Sequence, residues 1–332
     1  MSTRRSTAVT RIVAHVMDRN DVQAENWSLH NLTIALGEEK DKIKVLEWLA
    51  ARNLIRNEFV CPNCKDAMSL IRRTGITDGY QWRCKVCKTG RSVRDGSYFT
   101  VSKLGLHILI RFIYCWARDK PQKDCALESG LGSFSTRTTV DWANFCREIC
   151  EHWLEDHPCV VGGLDDNGIS RVVEIDESKF FHRKYHRGLW RESHWVFGGI
   201  ERETGKCFLV EVPDKTETTL TDVIQRFILP GTIIVSDGRA AYRNVSQIDG
   251  AIYEHRVIVA KRKFVDLDNI EIHMENVENL WMGIKTKIRK QYGTSEALFP
   301  SYLHEFLWRN AFRHSDSFSA FLTCISDVHH FN

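Results

Sequence analysis

Residues 171–181, RVVEIDESKFF, constrain this chain more than any other stretch. The run is β-branched and half apolar, so it reads as a strand, yet it carries Asp176 near its middle. An ionised carboxylate inside a sheet is strongly unfavourable unless something pairs with it, and a metal ion is the partner that suits it best. Two later stretches supply further carboxylates. One is TIIVSDG, which carries Asp237, and the other is HMENVENLW, which carries Glu278. The reading that follows is that Asp176, Asp237 and Glu278 meet in space.

The order of elements around Asp176 supports that reading. Residues 155–170, with Gly162-Gly163 and Asp165-Asp166-Asn167-Gly168, are turn chemistry and mark a domain boundary. After them the pattern predicts strands over 171–181, 194–201 and 206–212, and a helix over 218–228. A buried strand over 232–235, a helix near 240–245, a strand over 253–259 and a long helix over 276–291 complete the succession. This is the order of an α/β ribonuclease H-like domain, in which the first strand is central and pairs with the fourth. Asp176, late in the first, and Asp237, at the end of the fourth, then lie side by side.

Glu278 rests on helix phase. At about 100° per residue, Val277, Leu280, Trp281, Ile284 and Ile288 form one stripe that must face the sheet, and Glu278 sits on its flank. Asn276 is the expected N-cap, which places Glu278 in the first turn, where the helix dipole favours a carboxylate. Lys285 returns to the same flank with Arg289 one turn beyond, a placement suited to a DNA backbone along the helix. Glu275, Glu271 and Asp266 are rivals for the third acid. His273 reads as a hydrogen-bonded loop histidine, with assistance at a scissile phosphate as the alternative. Three carboxylates can hold two Mg²⁺ or Mn²⁺ ions, which take hard oxygen ligands and leave positions open for phosphate and water.

Upstream, Cys61-Pro-Asn-Cys64 and Cys84-Lys-Val-Cys87 place two CxxC pairs in one short segment. Two such knuckles can hold one structural Zn²⁺ tetrahedrally and give the segment a folding energy that its own core cannot. A redox pair or unconnected buried cysteines are the alternatives, and neither accounts for two pairs. Between Cys61 and Lys120 there are 12 Lys or Arg against 4 Asp, whereas residues 148–166 carry six acids and no Lys or Arg. A basic module joined through an acidic segment to a second module suits a nucleic-acid binder, and Arg91 and Arg94 are expected to meet phosphate.

Residues 102–118 read as an amphipathic helix. Pro121 opens a second one to about Ser129, a Gly130-Leu-Gly132 turn follows, and Ser135 caps a third. The pattern fits a helix-turn-helix offering Arg137 and Thr138 to DNA, and it fits a plain helical bundle as well. Cys146 and Cys150, four apart, read as core. No apolar run approaches the roughly 18–20 residues of a membrane span, and residues 1–20 lack a signal-peptide core, so a reduced intracellular compartment without a membrane is expected. The expected domains are a basic arm with helices over 1–57, a zinc ribbon over 58–100 and a helical domain over 101–157. A catalytic domain over 168–315 and a C-terminal tail over 316–332 follow.

Taken together, EIDESKF, Lys184-Tyr-His-Arg-Gly188, WVFGGIERETGK, SDG with AAY, HMENVENLW with Lys285, and YLHEFLWR resemble the DDE transposases of Merlin elements and their bacterial insertion-sequence relatives. The zinc ribbon and FCREIC add to the likeness, which covers roughly residues 59–313. The chain departs from it at Ala260-Lys-Arg-Lys263, Asn269-Ile and His273-Met-Glu275. The resemblance implies cut-and-paste transposition: binding of terminal inverted repeats in double-stranded DNA, hydrolytic cleavage at the ends, and strand transfer into target DNA. By motif, Asp176, Asp237 and Glu278 are the catalytic acids, and Lys184 and Arg187 join the DNA contacts. Joining two ends implies a homodimer or higher oligomer, in the nucleus of a eukaryotic host or the cytoplasm of a bacterial one. A domesticated DNA-binding protein with an idle site and a ribonuclease H-like nuclease are the alternatives.

Overall fold

The computed structural model describes residues 10–38, 41–132, 136–180, 194–258, 274–290, 295–329 and 331. The chain divides into two compact units, Met1–Trp153 with Phe312–Asn332, and Leu154–Ala311.

In the first unit, α1 (Arg19–Ala24) is capped by Asp18, whose side chain accepts from the Asp21 amide. The helices α2 (Leu29–Leu36) and α3 (Lys42–Ala51) are separated at Gly37, as expected from the break in periodicity. The strands β1 (Met68–Arg72), β2 (Tyr80–Cys84) and β3 (Gly90–Ser92) form a small antiparallel sheet in chain order. Trp82 is fully buried on the middle strand. Three helices follow, α4 (Leu106–Ala117), α5 (Gln122–Ser129) and α6 (Thr136–Asp156). Gly130 ends α5 in the left-handed region at φ 88°, where a side chain would be strained. Gln122 Nε2 donates to Thr139 Oγ1 at 3.1 Å, tying α5 to α6. Cys146 and Cys150 are buried core, as read from the sequence. The expected Ser135 cap lies outside the described residues.

The second unit opens with a short parallel pair, β4 (Val161–Gly162) with β8 (Ile228–Leu229). Its main sheet holds β5 (Val172–Phe180), β6 (His194–Glu201), β7 (Cys207–Val212), β9 (Ile233–Asp237) and β10 (Glu254–Ile258). Their spatial order is β10-β9-β5-β6-β7, with β5–β6 and β6–β7 antiparallel and β5–β9 and β9–β10 parallel. The first long strand is therefore central and pairs with the fourth, which is the ribonuclease H-like arrangement.

Alternation along β5 sends Val173 and Ile175 to one face of this sheet, where α7 (Glu217–Phe227) covers them with Leu220 and Ile224. The other face is covered by α8 (Glu275–Lys290) and α9 (Phe299–Ala311). Val277, Leu280, Trp281, Ile284 and Ile288 are all buried there, so the stripe read from the sequence is the packed one. The expected helix near 240–245 is replaced by two 3-10 segments, Ala240–Tyr242 and Val245–Gly250. Asn244 between them leaves helical geometry at φ −100°, ψ 10°, so no longer helix forms, while Tyr242, Val245 and Ile248 still pack beneath the sheet.

The last helix, α10 (Ser317–Val328), belongs to the first unit and corrects the expectation of a C-terminal tail. Asp316 caps it, and Phe318, Phe321, Leu322 and Ile325 are fully buried. Apolar residues three and four apart give this segment a face that only a core can cover. Phe318 meets Tyr114 edge-on, and Arg19 and Arg118 pair with Asp327 and Asp316. Among the described residues, no helix is long and apolar enough to cross a membrane.

Candidate active site and metal centre

On β5, Glu174, Asp176 and Phe180 share the face that α8 covers, and on β9 Val235 and Asp237 share it too. Pairing of these two parallel strands ends at Glu174–Val235. Asp176 and Asp237 each sit two residues past that last rung, on the same face. One side chain reaches both. Arg239 Nε lies 2.8 Å from Asp237 Oδ2 and its Nη2 4.0 Å from Asp176 Oδ1, while Nη1 pairs with the buried Glu177. The Arg239 amide also donates to Asp237 Oδ1 at 3.1 Å. Burial pushes the Asp176 carboxyl up to about 6, against the opposing pull of Arg239, with the charges of Glu177 and Asp237 adding to the rise.

Asp176 is held from above by α8, since Trp281 Nε1 donates to its Oδ2 at 3.1 Å. That contact needs Gly198. On β6, Gly198 is the rung opposite Asp176, and a Cβ there would lie 2.8 Å from the Trp281 ring and 2.9 Å from Leu209. The indole lies over the strand because this position is bare.

Glu278 lies in the first turn of α8 and is partly buried. Burial raises its carboxyl above the ordinary range, and the charges of Glu174 and Glu275 add to that. Trp281 and Lys285 lie three and seven residues on, so all three lie along one side of the helix. Lys285 is held below its ordinary value by burial, opposed by the charge of Asp176, and its Nζ sits 5.3 Å over the Phe180 ring. The oxygens of Asp176, Asp237 and Glu278 do not all come within 4.8 Å of one another. The rival Glu275 is exposed, whereas Glu271, Asp266, His273 and the departures from the family pattern between 260 and 273 lie outside the described residues.

Sequence reasoning did not single out Glu174. It is fully buried, and its carboxylate accepts from Arg202 Nε at 2.7 Å, Asn276 Nδ2 at 2.8 Å and the Val277 amide at 3.0 Å. The expectation of Asn276 as N-cap is corrected by the same contacts. The helix begins at Glu275, so Asn276 lies within its first turn and its amide side chain turns to the strand. The available signal was the period of two, which puts Glu174 on the face of Asp176.

In the first unit, Cys61, Cys64, Cys84 and Cys87 bring their sulfurs within 4.8 Å of one another. Sulfur separations are 3.3 Å for Cys61–Cys87, 3.4 Å for Cys64–Cys84 and 3.7 Å for Cys64–Cys87. Four thiolates at about 2.3 Å from a tetrahedral Zn²⁺ stand roughly 3.8 Å apart, so the donor set fits that ion. Thr89 Oγ1 lies 3.1 Å from Cys87 Sγ and accepts from Asn63 Nδ2 at 2.9 Å, linking the two knuckles outside the ligands.

The expected DNA contacts divide. Arg94 is buried, doubly paired with Asp78 at 2.6 and 2.7 Å, and donates to the Ser102 and Leu104 carbonyls. These bonds are internal, and Arg94 also lines the groove that holds Arg91. Arg91 is exposed, 3.8 Å from Asp95, and with Arg73, Arg83 and Lys103 it lines a groove of about 560 Å³ on the ribbon. Arg137 is exposed and Thr138 partly buried. Arg289 is exposed and donates to Lys285 O and Thr286 Oγ1 on its own helix. Lys184 and Arg187 lie outside the described residues.

Residues 170–311 match the ISXO2-like transposase domain. No protein with a curated description matches the chain. Among solved structures, the HTLV-2 integrase catalytic core domain in complex with magnesium, a trimeric form, is similar at 12% identity and a TM-score of 0.28. The match covers 45% of this chain and 87% of that one. The simian T-cell lymphotropic virus intasome in complex with PP2A regulatory subunit B56 gamma is similar at 12% identity and a TM-score of 0.31, over 60% of this chain and 65% of that one. At these scores the overlap is loose, and the fold assignment stands on the strand order of the sheet.

Proposed function

We propose that this protein is a DNA transposase of the DDE type, of the Merlin kind or a close relative, that cuts the ends of a mobile element and joins them to target DNA. One observation carries the reading. Within a segment matching the ISXO2-like transposase domain, Asp176 and Asp237 stand on one face of a ribonuclease H-like sheet, just past the rung where their strands stop pairing. Asp176, Asp237 and Glu278 offer the hard oxygens that Mg²⁺ or Mn²⁺ takes, and two bound ions would supply the charge for in-line displacement at phosphorus.

The chain's own residues supply position and charge. Trp281 fixes the Asp176 oxygen that it donates to, and Gly198 makes room for it. Lys285, beside Asp176 on the α8 flank, offers a cation to a phosphate brought to the acids. The zinc ribbon presents Arg73, Arg83, Arg91 and Lys103 to the duplex backbone, and the helices after it, with Arg137 and Thr138, act as the second DNA-binding element. A homodimer or higher oligomer holds the two ends, in the nucleus of a eukaryotic host or the cytoplasm of a bacterial one.

The test is incubation of the purified protein with Mg²⁺ and duplexes made from the DNA that flanks its coding sequence. Cleavage followed by joined products is the expected outcome. Cleavage without joining makes the protein a nuclease, and binding without cleavage makes it a DNA-binding protein with an idle site; either result overturns the transposase.

A further inference from the structure

A fully buried carboxylate in a central strand is destabilising unless its oxygens are satisfied, and Glu174 is satisfied from three directions. Arg202 reaches it from the turn after β6 at 2.7 Å, Asn276 from the first turn of α8 at 2.8 Å, and the Val277 backbone amide at 3.0 Å. The Val277 amide is one of the first-turn donors that no helix satisfies by itself, and a carboxylate at that end also complements the helix dipole. Helices usually take such a partner from the residue just before them. Here it comes from a strand 103 residues earlier in the chain.

The position of Glu174 gives this clamp its meaning. It lies two residues before Asp176 on the same face of β5, and Val277 immediately precedes Glu278. The path from the first acid to the third therefore runs through two residues of strand, one hydrogen bond and one residue of helix. We propose that Glu174 is a positioning residue: with Asn276 and Arg202 it locks the first turn of α8 to the central strand, and so sets where Glu278 stands relative to Asp176. The Arg202, Asn276 and Val277 donors commit both Glu174 oxygens to the helix and the turn after β6. The inference rests on the transposase reading for its catalytic consequence and on the hydrogen bonds alone for the clamp.

Glu174→Gln separates the two. An amide keeps one acceptor oxygen but turns its other atom into a donor facing donors, so at least one of the three bonds is lost. Hydrogen exchange in the full-length protein should then quicken about tenfold or more at Val277 and Glu278, with exchange across β6 and β7 unchanged. Single-turnover cleavage of the flanking-DNA duplex should fall roughly 10- to 100-fold with no change in the Kd for that duplex. Asn276→Ala, which leaves the carboxylate charged and paired, should move both measurements the same way by less, and it carries the test if Glu174→Gln does not fold. Unchanged exchange at the first turn overturns the clamp. Quickened exchange with an unchanged cleavage rate overturns its role in positioning. If the wild-type protein cuts no DNA, the transposase reading fails, while the exchange measurement still decides the clamp.

Discussion

The cysteine cluster and the acid site differ in how far their ligands are assembled by the fold itself. Cys61 and Cys87 are 26 residues apart, on knuckles of one small sheet, and the four sulfurs already lie within 4.8 Å of each other. Local turns and the pairing of neighbouring strands in one small sheet bring the cluster together. The three acids come from two strands and a helix, do not converge to that distance, and each is surrounded by groups that manage its charge. Arg239 spans Asp237, Asp176 and Glu177, Trp281 donates to Asp176, and Glu174 anchors the helix of Glu278. Like-charged oxygens are held near one another only by paired cations and donors, so the second site depends on its supporting residues in a way that the first does not.

The largest effect expected from this difference is at Asp176. Asp176→Asn keeps the shape and an acceptor for Trp281 but removes a charge, and cleavage of flanking DNA in Mg²⁺ should fall by about a thousandfold or more with DNA binding retained. A variant that cuts normally would show that the chemistry lies elsewhere. The cysteine cluster should fail in the opposite manner, through folding. In Cys61→Ser, bound zinc measured by atomic absorption should drop from about one equivalent to near none, and the thermal transition of the first unit should move down. Unchanged zinc content and melting would remove the metal centre.

How much of this was written in the sequence depends on whether the information is local. The α8 stripe was readable because helical periodicity is carried by the segment itself, and Val277, Leu280, Trp281, Ile284 and Ile288 are the residues that pack. The strand order around Asp176 was readable from alternating runs and turns. Glu174 was not singled out, because an acid in a strand shows neither its burial nor a partner 103 residues away. Gly198 was visible as a glycine inside a strand, a mark of close approach, but not as the seat of Trp281. The apolar spacing of Phe318, Phe321, Leu322 and Ile325 was there to be read as a helix.

Intermediate effects sharpen the dependence on support. Arg94→Ala removes a buried guanidinium, leaves the partly buried Asp78 without its partner and should cost ~3 kcal/mol in a denaturant melt. Gly198→Ala should cost about 1–3 kcal/mol by overpacking against Trp281 and Leu209. It should also slow single-turnover cleavage roughly tenfold by moving the indole off Asp176. A normal rate in a folded Gly198→Ala protein would show that the Trp281 contact is packing alone.

The smallest effect comes from the arginine that sequence reasoning placed beside Arg94. Arg91 is exposed, and its nearest acid, Asp95, stands at 3.8 Å, so the pair adds little to stability. Arg91→Ala should leave the melting curve within about 0.5 kcal/mol of wild type. If Arg91 meets a phosphate, affinity for duplex DNA should fall about 2- to 5-fold across unrelated sequences, and the slope of log affinity against log salt should shrink by about one. Arg94→Ala, corrected for the fraction unfolded, should leave that slope unchanged. Two arginines three residues apart on one groove would then separate fold from binding, since Arg94 is buried and donates to Asp78 and two carbonyls while Arg91 is exposed. Equal salt slopes for Arg91→Ala and wild type would move the ribbon's DNA face away from that groove.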